Sequence, residues 1–464
     1  MGSAAHVLIV GGGTCGCVLA ARLSEQADRT VLLLEAGPGY RQVPSALSDP
    51  TAMPVGPGSP WSRTYPATLS AGRPGASVRG RVLGGSSAVN GAYFVRGTPA
   101  DFARWGGSWA YEAVLPYFRR SERDVDFRGD LHGADGPMPV GRYRADEFNS
   151  VTAEFAESCA ALGFPEVADK NAPDSTGWGA VPLNVVAGRR ISTAQAYLLP
   201  AVGRVNLEIR ANSVARRVIV ESGVAIGVEV ECDGKVVTLF ADRIILCAGA
   251  IESPALLMRS GIGDPDLPVG AGLVDHPEIA LPYRIASDRS KAVAALQAVL
   301  NLEHVEIRPY TAALNSMVPG NRSSDTYLGV ALMNSQSRGS VSLPTTDPHA
   351  APSIDYDYLS EPADLRHLRD GVAVAQELLA EMASRGVVEY DPVDPTDDWI
   401  AANLGTSQHM MGTCGMGDDG VVDESCRVHG IENLSVVDTS VIPAGLSRGP
   451  AATAVMIAER ASTL

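Results

Sequence analysis

The N-terminal stretch HVLIVGGGTCGCVLAARLSEQADRTVLLLEAG constrains the fold more than any other part of the chain. Residues 6–10 and 30–35 are short apolar runs of the kind that form buried strands, and 14–27 carry helical periodicity. A strand, a glycine turn, a helix and a second strand within so few residues predict a β-α-β unit of the Rossmann type.

The glycines of this turn also predict a ligand. Gly11, Gly13 and Gly16 fit G-x-G-x-x-G, in which the first permits the tight turn, the second lets backbone approach a pyrophosphate, and the third lets helix pack on strand. Glu35 ends the second strand, where a carboxylate can accept hydrogen bonds from an adenosine ribose. The alternative is a plain glycine-rich turn, but the flanking elements and the acid favour a dinucleotide. The motif does not separate FAD from NAD.

Length and charge limit the remaining possibilities. At 464 residues and 45% apolar content, the chain is expected to form two lobes. A net charge of −16 argues against nucleic acid or an anionic membrane as partner, and no apolar run approaches a membrane span. The seven cysteines are an odd number, and together with the lack of an apparent export signal they predict reduced thiols and a cytoplasmic protein. Nothing in the sequence indicates an oligomeric state.

The middle of the chain bears on the choice between FAD and NAD. Residues 190–247 contain a run of short strand-like segments, including RVNLEIR, SVARRVIV, VAIGVEVE, KVVTLF and RIILCAG. A β-meander inserted between elements of a parallel sheet is commoner in FAD folds than in NAD folds. The stretch therefore favours FAD.

Several motifs in fixed order resemble the glucose-methanol-choline (GMC) family of FAD-dependent oxidoreductases. They are GRVLGGSSAVNGAYFVRG (80–97), GAIESPALLMRSGIG (249–263), VGAGLVDHP (269–277) and the tail from His409 onward. The resemblance implies an α/β (α+β) fold, in which a Rossmann-type FAD lobe with a β-meander carries a smaller substrate lobe built on an antiparallel sheet. The FAD lobe is then expected from residues 1–145, 190–280 and 405–464, and the substrate lobe from 146–189 and 281–404.

The same resemblance implies which residues hold FAD. Gly84 and Gly85 would lie against the flavin edge, and Ser86, Ser87 and Asn90 would supply short donors to it. The full predicted set is Gly11, Gly13, Thr14, Cys15, Gly16, Glu35, Ala36, Arg81, Gly84, Gly85, Ser86, Ser87, Asn90, Gly91, Val214, Ala248, Gly249, Asp438 and Ala452. Some family members link FAD covalently through a histidine in the 84–91 loop. Val89 stands at that position here, so FAD is predicted to be non-covalent.

The segment SQHMMGTCGMG (407–417) admits more than one interpretation. Its histidine, cysteine and methionines show no recognisable metal spacing, and Cys414 has no partner at C-x-x-C distance, so neither a metal nor a dithiol is predicted. The resemblance makes His409 the catalytic base, placed over the flavin. A base suits the chemistry, because hydride transfer from an alcohol carbon is easier when the hydroxyl proton leaves to an imidazole.

The family normally pairs this histidine with a second His or Asn in the tail, and that position falls on Ala451. The pair is therefore predicted to be missing, with Arg448, Gln408 or Asn403 orienting the substrate, while His276 is expected to be structural. The predicted activity is oxidation of a small-molecule alcohol, a bulky metabolite or an intermediate of secondary metabolism, with electrons passed to oxygen or to a redox carrier. A non-redox lyase of the hydroxynitrile lyase type and a flavoprotein that only binds a ligand are the alternatives.

Overall fold

A computed structural model describes residues 5–263, 267–286, 293–347 and 349–464. Its helices are α1 Thr14–Leu23, α2 Ser45–Ser48, α3 Pro99–Trp105, α4 Tyr111–Ser121, α5 Ser150–Ala161, α6 Leu199–Ala201, α7 Gly249–Arg259, α8 Leu314–Met317, α9 Pro362–Ser384, α10 Asp397–Asn403 and α11 Ala451–Ala461. Its strands are β1 Ala5–Val10, β2 Val31–Leu34, β3 Ser62–Thr68, β4 Pro74–Gly80, β5 Glu122–Asp124, β6 Met138–Val140, β7 Gly177–Ala180, β8 Val185–Val186, β9 Arg189–Arg190, β10 Leu207–Arg210, β11 Ser213–Glu221, β12 Val224–Cys232, β13 Lys235–Leu246, β14 Ala271–Leu273, β15 Pro277–Ile285, β16 Ala298–Asn301, β17 Val305–Pro309, β18 Thr326–Leu332, β19 Gly339–Ser342, β20 Ser353–Asp355, β21 Val388–Glu389, β22 Leu404–Thr406 and β23 Leu434–Val436.

The first sheet has the order β10-β2-β1-β13-β12-β11, with β23 also pairing with β13. β10, β2, β1, β13 and β23 run parallel, and β11, β12 and β13 form an antiparallel meander. The predicted Rossmann-type unit and meander are confirmed. The segment RVNLEIR is not part of the meander, because β10 pairs in parallel with β2 at the sheet edge.

Glycines fix the turn between β1 and α1. Gly11 has φ +105°, a conformation that side chains disfavour, and a Cβ on Gly16 would lie 1.9 Å from the Gly11 carbonyl oxygen. Helix α1 is shorter than the predicted 14–27 and ends at Leu23. It packs against α11, so the last helix of the chain covers the first.

The second large sheet is antiparallel and has the order β21-β15-β18-β17-β16-β7, with β22 also pairing with β15. The long helix α9 packs across β17 and β18. Large apolar side chains recur at every second position of β15, β17 and β18, and together with α9 they form a core separate from that of the first sheet. This matches the antiparallel sheet expected for the substrate lobe.

A third sheet, β14-β19-β20-β3-β4, joins segments from distant parts of the chain. β3 and β4 come from the N-terminal part, whereas β19 and β20 lie between 339 and 355. It therefore contains strands from segments that the sequence analysis divided between two lobes. β4 leads directly into the 84–91 loop.

Within the described residues, no helix combines the length and the apolar character that a membrane crossing needs. All seven cysteines are free thiols.

Candidate active site

One cavity of about 650 Å³ runs between the first and second large sheets. Most of the residues that the sequence analysis assigned to the cofactor line this cavity. They are Gly11, Gly13, Thr14, Cys15, Glu35, Ala36, Arg81, Gly85, Ser86, Ser87, Asn90, Gly91, Val214, Ala248, Gly249 and Asp438. His409, Gln408 and Ala451 line the same cavity. Residues far apart in sequence thus meet around a single elongated space.

Three predicted cofactor residues do not line the cavity. Gly16 is packed behind the turn against Gly11, where it serves the close approach of helix and strand. Gly84 has φ +91° and shapes the loop from behind, facing Ser192. Ala452 is fully buried inside α11. We therefore assign these three residues to the shape of the site and not to ligand contact.

The glycine turn is built as a phosphate cradle. Gly13 is the N-cap of α1 and offers no side chain, so the first N–H groups of the helix have no cap from it. A Cβ on Gly85 would lie 2.6 Å from the Gly13 Cα, which means that the 84–91 loop closes directly on this turn. Only glycines let these two backbone segments approach each other so closely, and backbone without side chains is what a bound pyrophosphate requires.

Glu35 marks the adenosine end of the cavity. Its Oε2 accepts from the Gly12 N–H at 2.9 Å and its Oε1 from the Gly37 N–H at 2.7 Å. Burial raises the pKa of Glu35, while these two backbone N–H groups act in the opposite direction. The carboxylate is held rigidly and keeps acceptor capacity for a ribose.

Asp438 joins the C-terminal tail to the start of α7. Its Oδ2 accepts from the Gly249 N–H at 2.8 Å and from the Ser253 Oγ at 2.6 Å. Its Oδ1 accepts from the Ser440 N–H at 2.8 Å. Asp438 lines the cavity, and its carboxylate connects the C-terminal tail to helix α7 by hydrogen bonds. The cradle, Glu35 and Asp438 together fit a dinucleotide of the FAD type.

His409 has a partner, contrary to the expectation that the pair would be missing. Its Nδ1 lies 2.8 Å from Nδ1 of His276, a residue expected to be only structural. The Nε2 of His276 lies 2.7 Å from the carbonyl oxygen of Leu446. The pair is therefore formed by a residue of the VDHP loop, while Ala451 occupies the cavity wall at the start of α11.

The hydrogen-bond chain fixes both tautomers. A carbonyl oxygen only accepts, so the Nε2 of His276 must donate to Leu446. Burial lowers the pKa of His276, which keeps the ring neutral and leaves its Nδ1 as an acceptor. His409 must then donate from its own Nδ1. The Nε2 of His409 is left without a proton, as a base needs.

The charge state of His409 is set by its surroundings. Burial lowers its pKa well below the usual value, and the positive charges of Arg308 and Arg79 act in the same direction. The imidazole is therefore neutral at neutral pH. A Cβ on Gly449 would lie 3.4 Å from both Cε1 and Nε2 of His409, so the glycine leaves the free nitrogen accessible.

Asp275 positions the segment that carries His409. Its Oδ1 accepts from the His409 backbone N–H at 2.5 Å, and its Oδ2 accepts from the Tyr358 hydroxyl at 2.6 Å and from the Thr406 hydroxyl. Asp275 precedes His276, so one loop aligns both the backbone and the ring of His409. The sequence analysis did not single out this aspartate.

Of the three polar side chains predicted to orient the substrate, only Gln408 lines the cavity. Gln408 lines the cavity, but its Oε1 accepts from the Val78 N–H and its amide donates to Ala76, so its side chain is committed to β4. Arg448 does not line the cavity and donates to the Ser175 hydroxyl and to the carbonyl oxygen of Ser447. Asn403 is exposed at the end of α10 and bonds to Trp399. The prediction that Arg448 or Asn403 orients the substrate is therefore wrong, because neither residue lines the cavity.

A charged cluster missed by sequence analysis lies beside Ser407. Arg308 lines the cavity and donates to Glu306 at 2.7 Å, to Glu278 at 2.8 Å and to the Ser407 hydroxyl at 2.8 Å. Tyr310 also lines the cavity and donates to Glu278 at 3.0 Å. These residues belong to β15 and β17 of the antiparallel sheet and to the segments that follow β17 and β22, which is why no local motif revealed them.

Comparison with known proteins places this geometry in a family. Residues 5–278 and 335–458 match the N-terminal and C-terminal domains of GMC oxidoreductases. The chain is 46% identical to an uncharacterised GMC-type oxidoreductase of Rhodococcus erythropolis, over 99% of this chain and 98% of that protein. It is 32% identical to an oxygen-dependent choline dehydrogenase of Photobacterium profundum, over 98% of this chain and 92% of that protein.

The fold agrees with the sequence comparison. The structure of pyridoxine 4-oxidase from Mesorbium loti superposes with a TM-score of 0.90 at 31% identity, covering 99% of this chain and 98% of that one. Proteins of this group bind FAD, and the cradle described above fits that cofactor. This chain therefore belongs to the GMC oxidoreductase family of FAD-dependent enzymes.

Proposed function

We propose that this enzyme oxidises the CH–OH group of an alcohol to a carbonyl, with His409 as the base that takes the hydroxyl proton. The observation that carries the proposal is the series of hydrogen bonds that runs from the Leu446 carbonyl oxygen through His276 to His409. It leaves an unprotonated Nε2 on a neutral imidazole at the cavity wall. Relatives named choline dehydrogenase and pyridoxine 4-oxidase support the reaction class.

FAD, when bound, supplies the hydride acceptor for the carbinol carbon. The glycine turn, Glu35, the 84–91 loop and Asp438 would hold it. Asn90 already accepts from the Ala92 N–H with its Oδ1, so its NH₂ group is the part left for a ligand. Val89 offers no nucleophile for a covalent link, and FAD is therefore proposed to be non-covalent.

His409 performs the proton step. The alcohol O–H donates to its Nε2, and the proton moves there as the carbinol C–H bond gives up its electron pair. The resulting imidazolium is stabilised because its Nδ1–H donates to the neutral His276. Asp275 accepts from the backbone N–H of His409 and His276 contacts its ring, so both the backbone and the ring are positioned.

The substrate itself is proposed to be bulky. Gly449 and Ala451 line the wall beside His409 with minimal side chains, which leaves room in the cavity. The electrons then leave to oxygen or to a redox carrier.

The test is an anaerobic screen of alcohols with the purified flavoprotein. A substrate should bleach the yellow absorbance of the flavin and yield one carbonyl per flavin reduced. The variant Asn403→Ala is a matched control, because Asn403 is exposed and outside the cavity. Substrate cleavage without bleaching would instead support a lyase, and binding without either would support a ligand-binding flavoprotein.

A further inference from the structure

Two cations line the cavity next to the segment that carries His409. Arg308 and Arg79 line the cavity, and the positive charge of each helps to lower the pKa of His409. His276 is neutral, and the carboxylate of Asp275 accepts from the His409 N–H and from two hydroxyl groups. An alcohol that reaches His409 therefore meets two guanidinium groups in the cavity lining, whereas Asp275, Glu278 and Glu306 do not belong to that lining.

Arg308 stands in front of the carboxylates that balance it. Glu278 and Glu306 are buried, and neither belongs to the lining of the cavity. Each of their oxygens is engaged: Glu278 accepts from Tyr310, Ser407 and Arg308, and Glu306 accepts from Arg308 and from the two donors Tyr93 and Asn301. A ligand in the cavity meets the guanidinium before either carboxylate.

Arg79 adds a second cation to the lining of the cavity. It lies on β4, where its Nη1 donates to the carbonyl oxygen of Gln408 at 2.6 Å. Its Nη2 is buried and has no hydrogen-bond partner within the part of the chain that the structure describes. No carboxylate among the described residues forms an ion pair with it, and Glu252, which lines the same cavity, pairs with Arg63 and Arg259 instead.

From this arrangement we infer that Arg308 and Arg79 make the site selective for uncharged alcohols and exclude alkylammonium alcohols such as choline. The inference rests on the proposed function and narrows its substrate class. It separates this chain from its choline dehydrogenase relatives, which share 32–35% identity with it. A cationic head group would find no free carboxylate on this wall and two like charges beside His409.

The test compares alcohols of equal shape and different charge. Choline and its tert-butyl analogue form one pair, and para-tert-butylbenzyl alcohol and its para-trimethylammonio counterpart form a larger one. In anaerobic rapid mixing, the second-order rate constant for flavin reduction should be roughly tenfold or more higher for the uncharged member of each pair than for the cation. A like-charge contact at a partly buried site implies a difference of this size.

Arg308→Gln should reduce or reverse this preference, because Glu278 then loses its cation. Arg284→Gln is the matched control, since Arg284 is an exposed arginine of β15 that pairs with Glu389. The isosteric comparison in the unaltered enzyme decides the question even where Arg308→Gln fails to fold.

Equal or better reduction by the cations would overturn the inference while leaving alcohol oxidation intact. Preference for para-hydroxymethylbenzoate over the uncharged benzyl alcohol would also overturn it, by showing an anion site. If no alcohol reduces the flavin, the proposed function fails. Perturbation of the flavin absorbance by each member of a pair then still measures the charge preference through binding.

Discussion

The pairing of His276 with His409 makes a quantitative prediction for His276→Leu. Leucine fills similar space but accepts no hydrogen bond, so the Nδ1–H of His409 and the carbonyl oxygen of Leu446 both lose their partner. Leaving one buried donor unsatisfied costs about 1–3 kcal/mol. The imidazolium that forms during reaction depends on that acceptor, so the penalty falls on the transition state. It corresponds to a rate loss of roughly 5- to 150-fold.

The assay is the anaerobic rate of flavin reduction by a saturating alcohol, measured in rapid mixing. His276→Asn is the matched variant, because an asparagine Oδ1 can take the place of the His276 Nδ1 as acceptor for His409. It should recover part of the lost rate, with FAD content equal in both variants. A His276→Leu enzyme that reduces its flavin at the original rate would refute the role of His276 as hydrogen-bond acceptor. An equal loss of rate in both variants would mean that His276 contributes only packing.

Three further outcomes follow from the site. Acid or heat should release intact FAD into the supernatant, since Val89 offers no attachment point; flavin retained by the precipitate would contradict this. The rate of flavin reduction should stay high as the pH falls toward the ordinary histidine pKa of about 6.5, because burial and two arginines lower the pKa of His409 and keep it unprotonated; an acid limb centred above that pH would contradict the assigned environment. Ala451→Asn should raise KM for a large alcohol more than for a small one, as measured by steady-state kinetics; equal effects would mean that residue 451 does not face the substrate.

The cofactor half of the site could be predicted from sequence because it is encoded locally. The glycines of 11–16 and the acid at Glu35 belong to one β-α-β unit, and their spacing sets their geometry. The 84–91 loop is similarly short and self-contained. Gly84 and Ala452 were nevertheless assigned to the ligand, although backbone geometry turns one behind the loop and buries the other.

The catalytic half depends on contacts between distant segments. His276 and His409 are 133 positions apart and meet only because β15 pairs with β22. Arg308 comes from β17, whose sequence carries no recognisable motif. Proximity in sequence was misleading for Arg448, which follows the Leu446 and Ser447 positions of the tail but turns its side chain toward Ser175. The tail motif predicts the partner of His409 at position 451 and carries no information about the upstream loop that supplies His276.

The most direct measurement of the central claim is the reductive half-reaction of His409→Ala with an alcohol that bleaches the parent enzyme. The account predicts a rate lower by on the order of 10²–10⁴, the usual contribution of a positioned acid–base group, with FAD content unchanged. A mutant that retains FAD and reduces it at the parent rate, or one that loses FAD altogether, would contradict the assignment of His409 as the base.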